Sequence, residues 1–380
     1  MNIIIQDKIN YIEEIGKVLK GGHILVVYRD SDALLGDKLI KILGDYYRIT
    51  MKRLPSNVEN DASVVDDVMD IDDDIRMIVA VGSGSILEVV KHAASLLGIA
   101  LVVILTSAYR MRGDNAFIFG ENELNEYKCI APAKVLIPTE HVLKRNNCCY
   151  LISDIAESML SKFDEQFMLL LSGNGLMHSK KLTSYIEKIS TIDENKKLDL
   201  LHLAYEIKDE KSSMATRIAY ILSHSATSRQ DMASYQFALT YMILLLYKWY
   251  IGYSGDDLLY PPDIVDSAEL VERTYGIEVS DSIMSYKMMS SSEYMRLSHI
   301  IGEYRGELNC ILESMIDTMK NLARAYRRLS RDSGYNLYGD LNVDTIERSI
   351  SELAIYESDN TLLRVMKVSG FLEHYLRESA

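Results

Sequence analysis

The chain has 380 residues, 48% of them hydrophobic, and a formal net charge of −14. At ~100–200 residues per domain, that length allows two or three domains with sizeable cores. So acidic a chain repels nucleic acid and anionic membrane surfaces, since basic residues supply most non-specific phosphate affinity; neither is expected as a partner, and only a local basic pocket for a small anion stays open.

The N-terminus, Met1 to Asp7, lacks a basic region followed by a long apolar run and does not read as a signal peptide. His23 to Tyr28 is a short β-branched run that predicts a buried strand, and Ala33 to Leu43 then carries helical spacing. Asp70 to Asp74 is acidic but lacks the glycine and spacing of a calcium loop, so a solvated turn is expected. Arg76 to Val81 predicts a second strand, Ser85 to Leu97 a helix, Ala100 to Leu105 a third strand, and Lys134 to Ile137 a fourth, ended by Pro138. Strands separated by helices imply a parallel sheet covered on both faces. Ala116 to Phe119 and Tyr127 to Ile130 are expected to pair as an inserted hairpin across the turn near Gly120.

After about Arg145 the pattern turns helical: Tyr150 to Leu171, Lys180 to Ile189, Leu198 to Ile207, Ser213 to Ser223 and Ala233 to Tyr250. Pro261-Pro262 marks a break. Helices resume at Ile264 to Tyr275, Ser292 to Arg305, Asn309 to Leu329, Val343 to Tyr356 and Thr361 to Leu376. The expected architecture is therefore an α/β domain over 1–145 and an all-helical domain over 146–380, any ligand lying in a cleft where they meet. The most apolar later stretch, Phe237 to Tyr247, is too short to span a bilayer. Cys129, Cys148, Cys149 and Cys310 form no C-x-x-C pair, so neither a zinc knuckle nor a disulfide framework is indicated, and a reducing, cytoplasmic setting is expected.

Val81-Gly82-Ser83-Gly84-Ser85 follows one predicted strand directly and opens a predicted helix. Glycines let a backbone approach an anion closely, and the amides at a helix N-terminus bind phosphate. A bare structural turn is the alternative, and the G-x-G-x-x-G fingerprint is not present. VGSGSILEVVKHAA resembles the "GGGS, acidic residue, then lysine" segment of glycerol-1-phosphate dehydrogenases, glycerol dehydrogenases and iron-type alcohol dehydrogenases; dehydroquinate synthases share a related loop. Leu105-Thr106-Ser107 resembles that superfamily's "P-T" turn, and Lys128 to Leu143 its exit from the N-terminal domain. The resemblance implies the dehydroquinate synthase-like fold and an NAD or NADP site at Gly82, Ser83, Gly84, Ser85, Lys91, Thr106 and Ser107. It also puts Arg29 and Asp30 near the adenosine ribose, where they favour either a phosphate or a diol.

The same resemblance implies a zinc or iron ion held by one aspartate and two histidines, a Lewis acid for the substrate oxygen. Asp154, in Ile152-Ser153-Asp154-Ile155-Ala156, matches the aspartate; read alone, it is equally a helix-start carboxylate. Ser228 to Gln236 resembles the "S-R-P-A-S-G-S-E-H" segment of glycerol-1-phosphate dehydrogenases, which puts Gln236 at the first histidine, and a shortened loop puts Tyr247 at the second. Glutamine and tyrosine are poor substitutes for imidazole at zinc or iron, so tight metal binding is not expected. Arg110 and Arg112, in the segment replacing the family's "S-x-D-G", are either phosphate ligands or solvated loop residues.

Two functions follow. One is an NAD(P)-dependent oxidoreductase acting on a small polyol or polyol phosphate. The other is a pseudoenzyme that binds a nucleotide or a partner on the same fold. A homo-oligomer is compatible with either.

Overall fold

The computed structural model describes residues 2–108, 113–120, 124–143, 148–173, 179–191, 197–206, 213–224, 232–253, 271, 273–274, 291–331, 343–354, 361–369, 371–372 and 375. The chain divides into two compact units, Met1–Cys148 and Cys149–Ala380.

The first unit is built on a six-stranded parallel sheet in the order β1-β8-β5-β4-β2-β3. Its strands are β1 (Asn2–Gln6), β2 (His23–Arg29), β3 (Arg48–Leu54), β4 (Ile75–Gly82), β5 (Ala100–Leu105) and β8 (Lys134–Pro138). The central strands run almost wholly apolar because helices cover both faces; Ile24, Val26, Met77, Val79, Val81, Val102, Ile104 and Leu136 are all fully buried in one core. The helices of this unit are α1 (Tyr11–Gly16), α2 (Ala33–Leu43), α3 (Ala62–Met69), α4 (Ser85–Leu97) and α5 (Thr139–Val142). The chain goes from β2 outward to β3, then returns to the other side of β2 with β4. A reversal of this kind opens a crevice at the carboxyl ends of the two strands on either side of it, where ligands bind in open α/β sheets.

The inserted hairpin is present with a different second strand. β6 (Asn115–Phe119) pairs with β7 (Leu124–Lys128), which shares only Tyr127 and Lys128 with the expected Tyr127 to Ile130 and extends toward the turn, and Ala116 faces Tyr127. Cys129 and Ile130 are needed elsewhere: the Cys129 amide donates to Asp114 O at 2.5 Å and the Ile130 amide to Ser95 Oγ at 3.1 Å. The edge strands β1 and β3 were not expected from the sequence. β3, Arg-Ile-Thr-Met-Lys-Arg-Leu, mixes charge with apolar residues because one side of it faces solvent.

Among the described residues the second unit is helical: α6 (Cys148–Leu171), α7 (Ser179–Ser190), α8 (Lys197–Glu206), α9 (Met214–His224), α10 (Met232–Gly252), α11 (Ser291–Arg331), α12 (Val343–Leu353) and α13 (Leu362–Val368). α10 buries side chains around most of its circumference, among them Phe237, Leu239, Ile243, Leu244, Leu246 and Ile251, so it is the unit's central helix. α11 is one helix of 41 residues where two were expected. Gly306 sits mid-helix with open space beside it; a single interior glycine costs only about 1 kcal/mol, and residues packed on both sides carry the helix through. The expected helix over 264–275 and the Pro261-Pro262 break fall mostly or wholly outside the described residues. No described helix is long and apolar enough to cross a membrane.

Candidate functional site

The glycine loop sits at the carboxyl end of β4, beside the β2/β4 crevice. Gly84 has φ +70° and ψ −137°, a conformation that L side chains rarely adopt, and it caps α4 without any side-chain hydrogen bond. A Cβ at Gly84 would meet nothing within 4 Å, so the space in front of the loop is open. Gly82 is different: a Cβ there would lie 2.6 Å from Ile86 Cγ2 and 3.7 Å from Asp32 Oδ2. One glycine lets the chain turn, and the other lets α4 start hard against the strand. Ser107 donates its hydroxyl to Ser83 Oγ at 2.6 Å, and the Thr106 amide donates to Gly82 O at 3.3 Å. These bonds tie the end of β5 to the loop. Thr106 is buried, and its hydroxyl has no partner among the described residues.

On the other side of the crevice, Arg29 and Asp30 follow β2. The Arg29 guanidinium is committed to the buried Asp32, with Nε at 3.2 Å and Nη2 at 3.1 Å from Oδ2, which neutralises a carboxylate close to the loop. Asp30 is half exposed and pairs with Arg53 at the end of β3. That contact raises the guanidinium's already high pKa. Gly82 to Ser85, Thr106, Ser107 and Asp30 are therefore brought to one edge of the sheet.

Lys91 is not at that edge. Its side chain is fully buried with Glu88, Nζ to Oε2 3.2 Å apart, and its ammonium also donates to Asn115 O. Glu88 Oε2 accepts the Phe117 amide at 3.0 Å. The "acidic residue, then lysine" part of the loop motif thus fastens hairpin β6–β7 onto α4. The expected role of Lys91 as a cofactor ligand is corrected: nearly two turns into the helix, its side chain is directed to the hairpin. Close by, His92 stacks on Tyr127 with centroids 4.1 Å apart, and burial holds its pKa below the usual value. Burial also pushes the Cys129 thiol up to about 11, so it is no nucleophile at neutral pH. Tyr109, Arg110 and Arg112 lie outside the described residues, as do Ser228 and Arg229.

In the helical unit the structure brings Asp154 and Gln236 together. Gln236 Nε2 donates to Asp154 Oδ1 at 3.3 Å, to Glu157 Oε2 at 3.3 Å and to Thr216 Oγ1 at 3.1 Å. All four residues are at least nine-tenths buried. Glu157 was missed in the sequence, although its i, i+3 spacing from Asp154 put both carboxylates on one helix face. Its other oxygen accepts the Ser213 amide at 2.6 Å.

Tyr247 does not join this group, which corrects its placement at a ligand position. Its hydroxyl donates to Asp164, at 3.0 Å from Oδ1 and 3.2 Å from Oδ2, and accepts the Leu363 amide at 3.0 Å. Asp164 also accepts the Leu362 amide at 2.9 Å. At ~1.5 Å per residue, Asp164 lies roughly 15 Å along α6 from Asp154. The Asp164–Tyr247 pair anchors the start of α13.

The donor set does not fit zinc or iron. Such sites are built on imidazole or thiolate and keep a position open for substrate. Here two carboxylates and a hydroxyl surround an N–H donor inside the protein. A second group, His23, Asp72 and Asp74, has ligand atoms within 4.8 Å of one another. It lies at the amino ends of β2 and β4, opposite the glycine loop. His23 Nδ1 is 2.7 Å from Asp74 Oδ1, its Nε2 is 2.8 Å from Thr50 Oγ1, and Arg48 reaches Asp74 at 3.0 Å and Asp72 at 3.9 Å. Both ring nitrogens and both carboxylates are engaged, and the group ties the amino ends of β2, β3 and β4 together.

No family model matches the sequence, and no curated protein matches it. Solved structures do match by fold. Maleylacetate reductase from Agrobacterium tumefaciens is similar with a TM-score of 0.55 at 11% identity, covering 99% of this chain and 96% of that one. An iron-containing alcohol dehydrogenase from Thermotoga maritima matches with 0.54 at 13%, covering 99% and 98%. An archaeal halo-thermophilic alcohol dehydrogenase from a Red Sea brine pool gives 0.54 at 13%, covering 100% and 97%. The chain therefore has the fold of the iron-type alcohol dehydrogenases, a parallel α/β unit followed by a unit that is helical among the described residues.

Proposed function

We propose that this chain binds a nicotinamide dinucleotide at the carboxyl edge of its parallel sheet and is an oxidoreductase of a small polyol or polyol phosphate that works without zinc or iron. The observation that carries the reading is the glycine loop. A left-handed Gly84 at an uncapped helix start, with open space in front of it and beside the strand-order reversal, is suited to a pyrophosphate. Gly82, Ser83, Gly84 and Ser85 would hold the phosphates, with Thr106 and Ser107 beside them. When bound, the nicotinamide supplies the hydride chemistry. Asp30 and Arg53 give the crevice an acceptor for a ribose diol and a cation for a 2′-phosphate, which leaves both NAD and NADP open. The polyol class comes from the resemblance around residues 82–91, and the fold neighbours support the oxidoreductase class.

One observation favours a second reading, a protein that binds a nucleotide or a partner without catalysis: Gln236, where the resemblance implies a histidine ligand, is an amide donor to Asp154 and Glu157. The test is a calorimetric titration of the full chain with NADH and NADPH, repeated with Gly84→Val, followed by an assay for polyol-dependent reduction of the bound cofactor. The variant is expected to bind at least tenfold more weakly, about 1.4 kcal/mol. Unchanged affinity in a folded variant refutes the loop assignment. Binding without any hydride transfer over a polyol and polyol-phosphate panel selects the second reading.

A further inference from the structure

We infer that the Gln236 side chain takes the place of the metal ion of this fold, so that the polar centre of the helical unit is a metal-independent, hydrogen-bonded node. This inference is independent of the dinucleotide reading, because it concerns α6, α9 and α10 alone.

The Gln236 amide nitrogen lies between three oxygens, 3.1–3.3 Å from Asp154 Oδ1, Glu157 Oε2 and Thr216 Oγ1. Its two hydrogens are shared among three acceptors. The amide cannot be reversed without cost, since its oxygen would then face two carboxylates and find no N–H to accept from them. The partial positive charge of the NH₂ group thus stands where carboxylates of this fold would face an ion. A cation brought to the same point would meet those hydrogens, and the residue is 2% exposed, so the amide has little room to swing away.

The surrounding bonds lock the arrangement. Glu157 Oε1 accepts the Ser213 amide at 2.6 Å. Thr240 donates to Gln236 O at 2.7 Å, Ser158 to Asp154 O at 2.7 Å, and Ser153 to Ala233 O at 2.8 Å. The last of these joins α6 directly to α10. Buried polar groups bonded to one another in this way favour a single packing, although Asp154 Oδ2 accepts no hydrogen bond among the described residues.

The test uses the full chain after chelator treatment. Thermal unfolding is followed by the fluorescence of Trp249, the single tryptophan, which packs on Phe371 and Tyr375 in the helical unit. Zinc, ferrous iron, manganese and magnesium are added one at a time, and metal content is measured on the untreated protein. The expected result is far less than one metal per chain and no change in Tm with chelator or any of the four ions. Gln236→Glu, which adds a third carboxylate to the node, is expected to lower Tm and to make it rise with added divalent cation. Gln236→Leu is expected to lower Tm with no response to metal. A metal-dependent rise in the Tm of the unmodified chain that Asp154→Asn abolishes overturns the inference, whether or not the variants fold. So does a Gln236→Glu chain that is as stable as the unmodified one and indifferent to cations.

Discussion

Replacing Lys91 by methionine removes one half of a fully buried ion pair and keeps most of the side-chain volume. At 3.2 Å the Lys91–Glu88 attraction is about 5 kcal/mol for an effective dielectric constant near 20, and desolvation of both groups offsets most of it. The net worth of the pair is therefore small, while the cost of breaking it is not. Lys91→Met leaves the Glu88 carboxylate buried with its charge uncompensated by Lys91, a situation that typically costs ~3–5 kcal/mol. The Phe117 amide still donates to Glu88, which places the expected loss at the lower end, about 3 kcal/mol. Urea unfolding followed by far-ultraviolet circular dichroism reads the loss, and hydrogen exchange over 115–128 should rise first because the hairpin loses its bond to the ammonium. Trp249 belongs to the other unit, so its fluorescence midpoint should move less. Adding Glu88→Gln to Lys91→Met removes the stranded charge and should restore at least half of the stability. A loss below ~1 kcal/mol, or no recovery in the double variant, refutes the view that this pair holds the hairpin rather than a cofactor.

Tyr247→Phe removes the hydroxyl that donates to Asp164 and accepts the Leu363 amide, and should cost about 1.5–3 kcal/mol, read from the Trp249 unfolding midpoint. Gly36→Ala puts a Cβ 2.6–2.8 Å from ring carbons of the buried Tyr28, whose hydroxyl is held by Asp37, and should destabilise by about 1–3 kcal/mol in urea unfolding. With an alkylating reagent at neutral pH and under native conditions, Cys310 is exposed and should react, while Cys129, buried and with its thiol pushed up to about 11, should be spared until the chain unfolds. His92 is held below its ordinary value of about 6.5 by burial, so the stability it contributes is present above that value and is lost as pH falls toward the folded pKa. A proton-resonance titration of His92 should give a midpoint below 6.5, and one above it contradicts the assigned burial.

The strands β2, β4 and β5 were legible because they are buried on both faces and so run apolar without interruption. The glycine loop was legible because its two glycines fall between one such run and a helix. β3 was not, since the charges of Arg48, Lys52 and Arg53 break its apolar pattern, and β1 was not, since only Ile3 to Ile5 of its five residues are apolar. The side chain of Lys91 shows the limit of motif reading. Spacing placed it nearly two turns into α4, while its direction depended on a hairpin 24 residues further along the chain. The register of the resemblance set Asp154 and Gln236 side by side, and they are hydrogen-bonded, whereas Glu157 was not singled out although its spacing from Asp154 carried the signal. Tyr247 was placed wrongly because laying it on a ligand position required a shortened loop; without that adjustment it falls about three turns beyond Gln236 on the same helix.

If the sheet edge binds a dinucleotide without help from a metal, calorimetric titration of NADH and of NADPH into the full chain, with and without a strong chelator, will show saturable binding of at least one of the two, with the same affinity in both conditions and at least tenfold weaker in Gly84→Val. Failure of both nucleotides to bind the folded chain, or binding that disappears with the chelator and returns with zinc or iron, contradicts it.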